Sequence, residues 1–291
     1  MNPVESPPAD PPDYRPTLCE TAVASHPLAG LEADVAPAQS PDGIPRTTIW
    51  GLTLACLTPS QTVNLVERLI ARRRPTFFIT ANLHYAMLTD RDPRLVELNR
   101  RAAFLVADGM PMVWYSRFRG PRLPQRVAGA DLVYQLCQRA ALAGHRLFLL
   151  GGEPGVADEA AANLCRRFPG LQIAGVASPP FRPLSVEEHH DLVRRIRQAR
   201  PDLLLTAFGQ PKGELWLGEN CQALGVPVCV QLGATFDFIA GRVRRAPRWL
   251  QLLSLEWLFR AMQEPRRLGP RYLADLLFLG KAILRDVCTR R

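Results

Sequence analysis

From Thr47 onward the chain alternates between short apolar runs and longer stretches whose apolar residues recur every three or four positions. The short runs fall at Phe77–Ile79, Phe104–Ala107, Leu147–Leu150, Leu171–Val176, Leu203–Ala207 and Val226–Leu232. Their length and β-branched, aromatic content predict buried strands. The segments between them, 92–101, 130–143, 155–168, 185–199 and 212–223, have helical periodicity. Ahead of them an apolar stretch, Ile49–Leu57, meets Thr58-Pro59, an N-cap followed by proline at the first helical position, which predicts a helix to about Arg74. Strand and helix in regular turn predict an α/β fold: a mostly parallel, Rossmann-like sheet with helices on both faces. After Gly241 the alternation stops, and two arginine-bearing amphipathic stretches, 249–262 and 271–285, form a C-terminal helical appendage.

The first forty-six residues have a different texture, with ten of the 27 prolines and no periodicity. They are read as a disordered proline-rich leader, dividing the chain into 1–46, a catalytic α/β domain over 47–241, and an appendage over 242–291. No run approaches the ~20 apolar residues of a membrane-spanning helix, and no secretory signal is visible, so a cytoplasmic protein is expected. The seven cysteines are scattered without C-x-x-C pairing, which excludes a zinc or disulfide framework from the expectation. The net charge of +9 is unevenly placed: the leader holds two arginines against seven acidic residues, the last fifty residues twelve basic against four acidic. A basic, apolar C-terminus suits an anionic partner, whether a phosphate-bearing ligand, a membrane surface or a nucleic acid.

In a parallel sheet ligands sit beyond the carboxyl ends of the strands, so the polar residues there carry the candidate chemistry. Asp108-Gly109 follows one strand; Asp108 is either a general base or the cap of the next helix. Thr80 and Asn82 follow another and suit a sugar or nucleobase edge, while Asn82 can equally cap a turn. The turn Gly151-Gly152-Glu153-Pro154-Gly155 is either a phosphate-adjacent turn or a plain strand-to-helix connection, and it lacks the dinucleotide fingerprint. Asp90-Arg91-Asp92 matches a metal-holding D-x-D but stands before Pro93 and a helix, where capping acids belong. His189-His190 read as solvated. Arginines interleaved with Trp249, Trp257, Phe259 and Tyr272 suggest contact with lipid and phosphate, or a helical pair with solvated arginines, or a nucleic-acid surface.

Taken in order, Thr80-Ala81-Asn82, A-D-G-M-P-M-V-W from 107, R-V-A-G-A-D-L from 126, L-L-G-G-E-P-G from 149, F-G-Q-P-K-G-E from 208, G-A-T-F-D-F-I-A-G from 233, R-A-P-R-W from 245 and L-E-W-L-F-R from 255 resemble the WecG/TagA/CpsF glycosyltransferases over about 47–274. The resemblance implies an inverting, metal-independent enzyme without a cofactor. It would move a sugar from a UDP-sugar (N-acetylmannosamine, its uronic acid, or glucose) to a polyprenyl-diphosphate-linked saccharide, in exopolysaccharide or cell-surface glycan synthesis. It implies Asp108 as the base, and Thr80, Asn82, Arg126, Arg260 and Arg267 as substrate-binding residues; Gln210, Asp237 and Arg245, within the same motifs, are further substrate-binding candidates. Where the family reads P-K-Q-E, this chain has P-K-G-E, so Gly213 replaces a polar ligand and Gln210 is the candidate substitute. Pro270 stands where the family often has arginine, and Ser178-Pro179-Pro180-Phe181 replaces G-Y-F. The expected location is the inner face of the cytoplasmic membrane, held there by the appendage, with an anionic membrane surface and no nucleic acid among its partners. A nucleotide-binding oxidoreductase would require the missing dinucleotide fingerprint. A nucleic-acid binder would show steep salt dependence without UDP affinity.

Overall fold

A computed structural model describes residues 43–118, 120–247, 250 and 256–288, apart from the Arg267 side chain. The leader call falls almost wholly outside the described residues, although Ile44 is already buried in the core.

The chain opens with a hairpin, β1 (Arg46–Ile49) and β2 (Leu52–Ala55), paired antiparallel. The apolar stretch at 49–57 thus folds back on itself through Trp50 and Gly51, both at positive φ. A positive φ is strained for tryptophan; its ring packs 5.1 Å from Tyr115 and 6.4 Å from Phe278, burial that holds the turn in place. Helix α1 (Pro59–Arg72) begins with the expected Thr58 cap, reciprocated by Gln61 as a capping box.

The strands that follow form one six-stranded sheet: β3 (Thr76–Ala81), β4 (Leu105–Ala107), β5 (Arg146–Gly151), β6 (Gln172–Ala177), β7 (Leu203–Ala207) and β8 (Val228–Gln231). The spatial order is β4-β3-β8-β7-β5-β6 and every pairing is parallel. All six carboxyl ends therefore reach one edge. Alternation along the strands splits the core into two layers. Phe78, Leu147, Leu149, Leu203, Leu205, Val228 and Val230 face one side; Phe77, Ile79, Phe148, Leu150, Leu204 and Cys229 face the other. The first layer is covered by α1, α5 (Gly129–Ala143), α6 (Val156–Arg167) and α9 (Thr235–Ala240). The second is covered by the hairpin, α2 (Leu83–Arg91), α3 (Pro93–Arg101), α4 (Met110–Tyr115), α7 (Val186–Ala199) and α8 (Lys212–Leu224). The α/β architecture expected from the alternation is the one observed.

The appendage differs in its boundaries. Helix α10 covers Glu256–Gln263 and α11 runs over Pro265–Cys288 with Pro270 inside it. Residues 251–255 of the first expected stretch are outside the described residues, and the second helix starts six residues before 271. Pro270 is the sixth residue of this helix and lies inside it, and the helix continues through the ladder bond that the proline cannot donate. Helix α11 is docked on the second layer. Phe278 and Ala282 are buried, His84 Nδ1 and Asp275 Oδ1 are 2.8 Å apart, Arg285 pairs with Asp90 at 3.3 Å, and Tyr115 hydrogen-bonds Asp286.

Candidate active site

The expected residues gather at the carboxyl edge, beginning with Asp108. β4 and β3 run in register to Ala107 and Ala81, and the Asp108 N–H donates to Ala81 O at 2.7 Å. Its Oδ2 accepts from the Gly129 N–H, at the start of α5, at 3.3 Å. A Cβ on Gly129 would stand 3.3 Å from Leu232, 3.5 Å from Thr80 Oγ1 and 3.8 Å from Asp108 Oδ2. The glycine thus lets a helix N-terminus close on both polar side chains. Asp108 does not cap α4, whose N-cap is Gly109 without a side-chain hydrogen bond. Burial pushes its carboxyl up to about 7, against the opposing pull of Arg126 and the Gly129 hydrogen bond. A carboxyl poised near neutrality at a sheet mouth can accept a proton from a hydroxyl.

Thr80 is buried, and its hydroxyl donates to Gln231 O at 3.3 Å. Asn82 caps α2, its Oδ1 accepting from Tyr85 N at 2.9 Å; the cap reading is correct, and the amide nitrogen is the end able to donate to a ligand. Gln210 reaches across β8, Nε2 donating to Thr80 O at 3.4 Å.

The cationic side is a chain of alternating charges. Arg126 lies 3.5 Å from Asp131, Arg245 lies 2.6 Å from the other oxygen of Asp131, and Arg245 Nε donates to Glu256 Oε1 at 3.0 Å. Arg245 is held charged by these two carboxylates although burial works against it, and its Nη2 is buried without a partner. Glu256 begins α10, so this chain ties the appendage to α5. Arg260, one turn further, stacks its guanidinium 5.4 Å from the Phe238 ring centre and has a buried Nε without a partner. Asp237 lies on α9 beside Arg242, which pairs with Glu159 of α6 at 2.6 Å. The Arg267 side chain falls outside the described residues.

Two expectations resolve in the plain direction, and a third is corrected. Asp92 caps α3 through Arg94 N at 3.0 Å and Asp90 pairs with Arg285, so both carboxylates of the D-x-D are engaged. The glycine turn after β5 is a close approach of backbones: a Cβ at Gly151 would be 2.8 Å from Ala207 O. His189 is not solvated as expected. It is half-buried and 2.8 Å from Asn220 Oδ1, because α7 packs on α8, while His190 is exposed. These histidines line a surface groove of about 740 Å³ on the outside of α7 and α8, which shares no residue with the edge described above.

Sequence reading missed the residues that fill Gly213's place. A Cβ there would lie 2.5 Å from Gln231 Cδ. Gln231 is buried at the end of β8, its Oε1 accepting from Thr206 Oγ1 at 3.0 Å and Phe208 N at 3.3 Å, and its Nε2 has no partner. The Gln231 side chain, from β8, thus occupies the space into which any side chain at 213 would start. The signal was a lone amide in an otherwise apolar strand, V-C-V-Q-L. Glu214, also missed as a site residue, is 1% exposed.

Among the described residues no helix is long and apolar enough to cross a membrane, and no three or more His, Cys, Asp and Glu side chains are grouped as a metal would need. The sequence profile of the glycosyl transferase WecG/TagA/CpsF family matches residues 47–291. An N-acetylglucosaminyldiphosphoundecaprenol N-acetyl-beta-D-mannosaminyltransferase of Bacillus spizizenii is 30% identical over 211 residues, covering 71% of this chain and 80% of that protein. With the parallel sheet, Asp108 and the arginine chain at one edge, the match over nearly the whole folded region places this chain in the WecG/TagA/CpsF family of glycosyltransferases.

Proposed function

We propose that the protein is an inverting transferase that needs no metal, moving a sugar from a UDP-sugar to a polyprenyl-diphosphate-linked saccharide in bacterial exopolysaccharide or cell-surface glycan synthesis. UDP-N-acetylmannosamine is the first donor to test, given what the Bacillus spizizenii relative transfers; its uronic acid and UDP-glucose come next. The observation that carries the reading is Asp108, a carboxyl held near neutrality at the sheet mouth between Arg126 and the N-terminus of α5.

In this reading Asp108 takes the proton of the acceptor hydroxyl as that oxygen attacks the anomeric carbon from the face opposite the diphosphate. The C–O bond to the diphosphate breaks with its electron pair staying on UDP. Arg126, Arg245 and Arg260 are the groups suited to that developing charge, since a guanidinium offers two parallel donors to a phosphate. Thr80, Asn82 and Gln210 orient the sugar. Leu273, Leu276, Leu277, Leu284 and Val287 form an exposed stripe on α11, continued by Trp257 and Met262 on α10. Apolar residues on a basic helix suit the interface of an anionic bilayer, where the acceptor lipid lies. The enzyme would then work peripherally at the inner face of the cytoplasmic membrane.

The test is turnover in excess chelator with each UDP-sugar and a short-chain lipid-diphosphate acceptor, the anomeric configuration of the product being read by NMR. An inverted linkage formed without metal is the expected result. Turnover only on adding a divalent cation, or retention at the anomeric carbon, overturns the mechanism.

A further inference from the structure

Two amide side chains at the carboxyl edge each keep one buried end without a protein partner, and the two ends are of opposite kind. Gln231 is buried at the end of β8, in register with Ile79 of β3 on one side and Thr206 of β7 on the other. Its Oε1 accepts from Thr206 Oγ1 at 3.0 Å and from the Phe208 N–H at 3.3 Å. A backbone N–H can only donate, so the amide cannot be turned round and Nε2 is the end left over. Gln210 is fixed in the opposite sense: its Nε2 donates to Thr80 O at 3.4 Å, and a carbonyl can only accept, so Oε1 is its free end. Gln231 Nε2 and Gln210 Oε1 are both buried and unpartnered.

The two ends belong to one place. Thr80 touches both residues, since its carbonyl takes the Gln210 amide and its hydroxyl donates to Gln231 O at 3.3 Å. Gly213, three residues after Gln210, has no side chain to hold α8 off the Gln231 amide; a Cβ there would lie 2.5 Å from Gln231 Cδ. Strand alternation turns Gln231 and Thr206 to the α8 side of the sheet, whereas Asp108 turns to α5, where it accepts from the Gly129 N–H. A sugar across the strand ends would have the base on one flank and the amides on the other. Buried polar groups are nearly always paired, so an open donor beside an open acceptor points to a ligand group that both accepts and donates.

We propose that Gln231 and Gln210 read an acetamido group on the transferred sugar, its carbonyl accepting from Gln231 Nε2 and its N–H donating to Gln210 Oε1; this rests on the transferase reading and selects among the donors it leaves open. N-acetylmannosamine and its uronic acid carry that group, and glucose does not. A trans amide holds its N–H and its carbonyl on opposite sides, so it takes its partners from two separate elements, as β8 and the loop before α8 supply. A hydroxyl in the same place brings both functions on one oxygen with a shorter reach. It leaves a buried amide end unmet, which is how a site built for hydrogen bonds rejects an analogue.

The full-length protein and its Gln231→Met, Gln210→Met and Gly213→Gln/Gln231→Gly variants are assayed with UDP-N-acetylmannosamine, its uronic acid, UDP-glucose, and UDP-mannose, in which a hydroxyl replaces the acetamido group. Rates are taken per folded molecule, and UDP binding is titrated separately. The wild type is expected to prefer both acetamido donors to UDP-mannose. Gln231→Met and Gln210→Met should each cut that preference in kcat/KM by about tenfold, roughly the worth of one hydrogen bond, with UDP affinity kept within about threefold. The ratio between the two acetamido donors should not move, because the pair does not read the carboxylate that separates them. The double variant, which returns an amide to the same space from α8, should regain part of the preference. A preference unchanged in Gln231→Met gives that amide to the fold alone and overturns the proposal. UDP affinity falling in step with turnover gives the amides to the nucleotide, and overturns it equally. Glucose transferred in preference to both acetamido donors defeats the proposal and leaves the transferase reading standing; no transfer from any UDP-sugar defeats both.

Discussion

Asp108 is destabilising in the ionised state that the proposed base role requires. Its folded-state proton affinity, near pH 7, lies above the ordinary value of 3.8. The native state therefore binds the proton more tightly than the unfolded chain, and stability falls as pH rises from about 4 to about 7. Asp108→Asn removes that loss. At pH 8 the variant should melt higher than the wild type, with an upper bound of about 4 kcal/mol in stability, and the difference should vanish near pH 3. Its transfer rate should drop by roughly 10²–10⁴-fold, and the wild-type kcat/KM should fall below a midpoint near pH 7 as the base takes up its proton. Melting curves and rates across pH check both halves; a variant neither more stable nor slower at pH 8 removes Asp108 from the role. Gly213 makes a second case. Gly213→Ala must push Gln231 off Thr206 and Phe208, at a cost of about 1–3 kcal/mol, and adding Gln231→Ala should recover part of it in a double-mutant cycle. Asp108, Thr80 and Asn82 were legible because strand ends announce themselves as polar residues after apolar runs. Gln231 was not: its importance comes from its side chain filling the space that Gly213 leaves, and that is settled across two elements far apart in the chain.

At the scale of elements, strands and the longer helices were readable because their apolar periods are set by the core they meet on each face of the sheet. Short pieces were not. α4 and α9 are too brief for periodicity to register, α2 lacks a clear apolar stripe, and the hairpin at 46–55 was hidden because a tryptophan, not a turn residue, occupies one of the two positive-φ positions. α11 was half read. The sequence marks it as amphipathic, but only the structure separates an inner face, with Phe278 and Ala282 buried, from an outer face of leucines. The two faces predict different phenotypes. Phe278→Ala should lower the melting temperature, since a buried aromatic truncated to alanine typically costs about 3–5 kcal/mol. Leu273→Ser with Leu277→Ser and Leu284→Ser should leave melting nearly unchanged and weaken sedimentation with anionic vesicles. Equal binding by wild type and triple variant would detach the outer face from the membrane. For the same reason, cutting the chain after Gly241 is a poor test of the appendage, because it also uncovers Trp50 and the α2 face.

For the molecule as a whole, one sheet edge collects the chemistry, while the basic excess lies toward the C-terminus, with twelve basic and four acidic residues in the last fifty. Binding to anionic vesicles should therefore weaken as salt rises from about 0.05 to 0.5 M, over which the screening length shortens severalfold, and neutral vesicles should bind less at every salt concentration. Insensitivity to both salt and lipid charge would leave only the apolar contribution. The arginine chain at the edge adds a further consequence. Arg126 and Arg245 are held by ion pairs with Asp131 and Glu256 within the fold itself, so part of the entropy of ordering them is lost on folding and not at encounter. In the proposed reaction an incoming diphosphate would exchange with these carboxylates instead of gathering mobile cations from solvent. The same carboxylates would then reclaim the guanidiniums once the sugar has gone, so that release of the nucleotide would leave a site that needs no reassembly before the next donor.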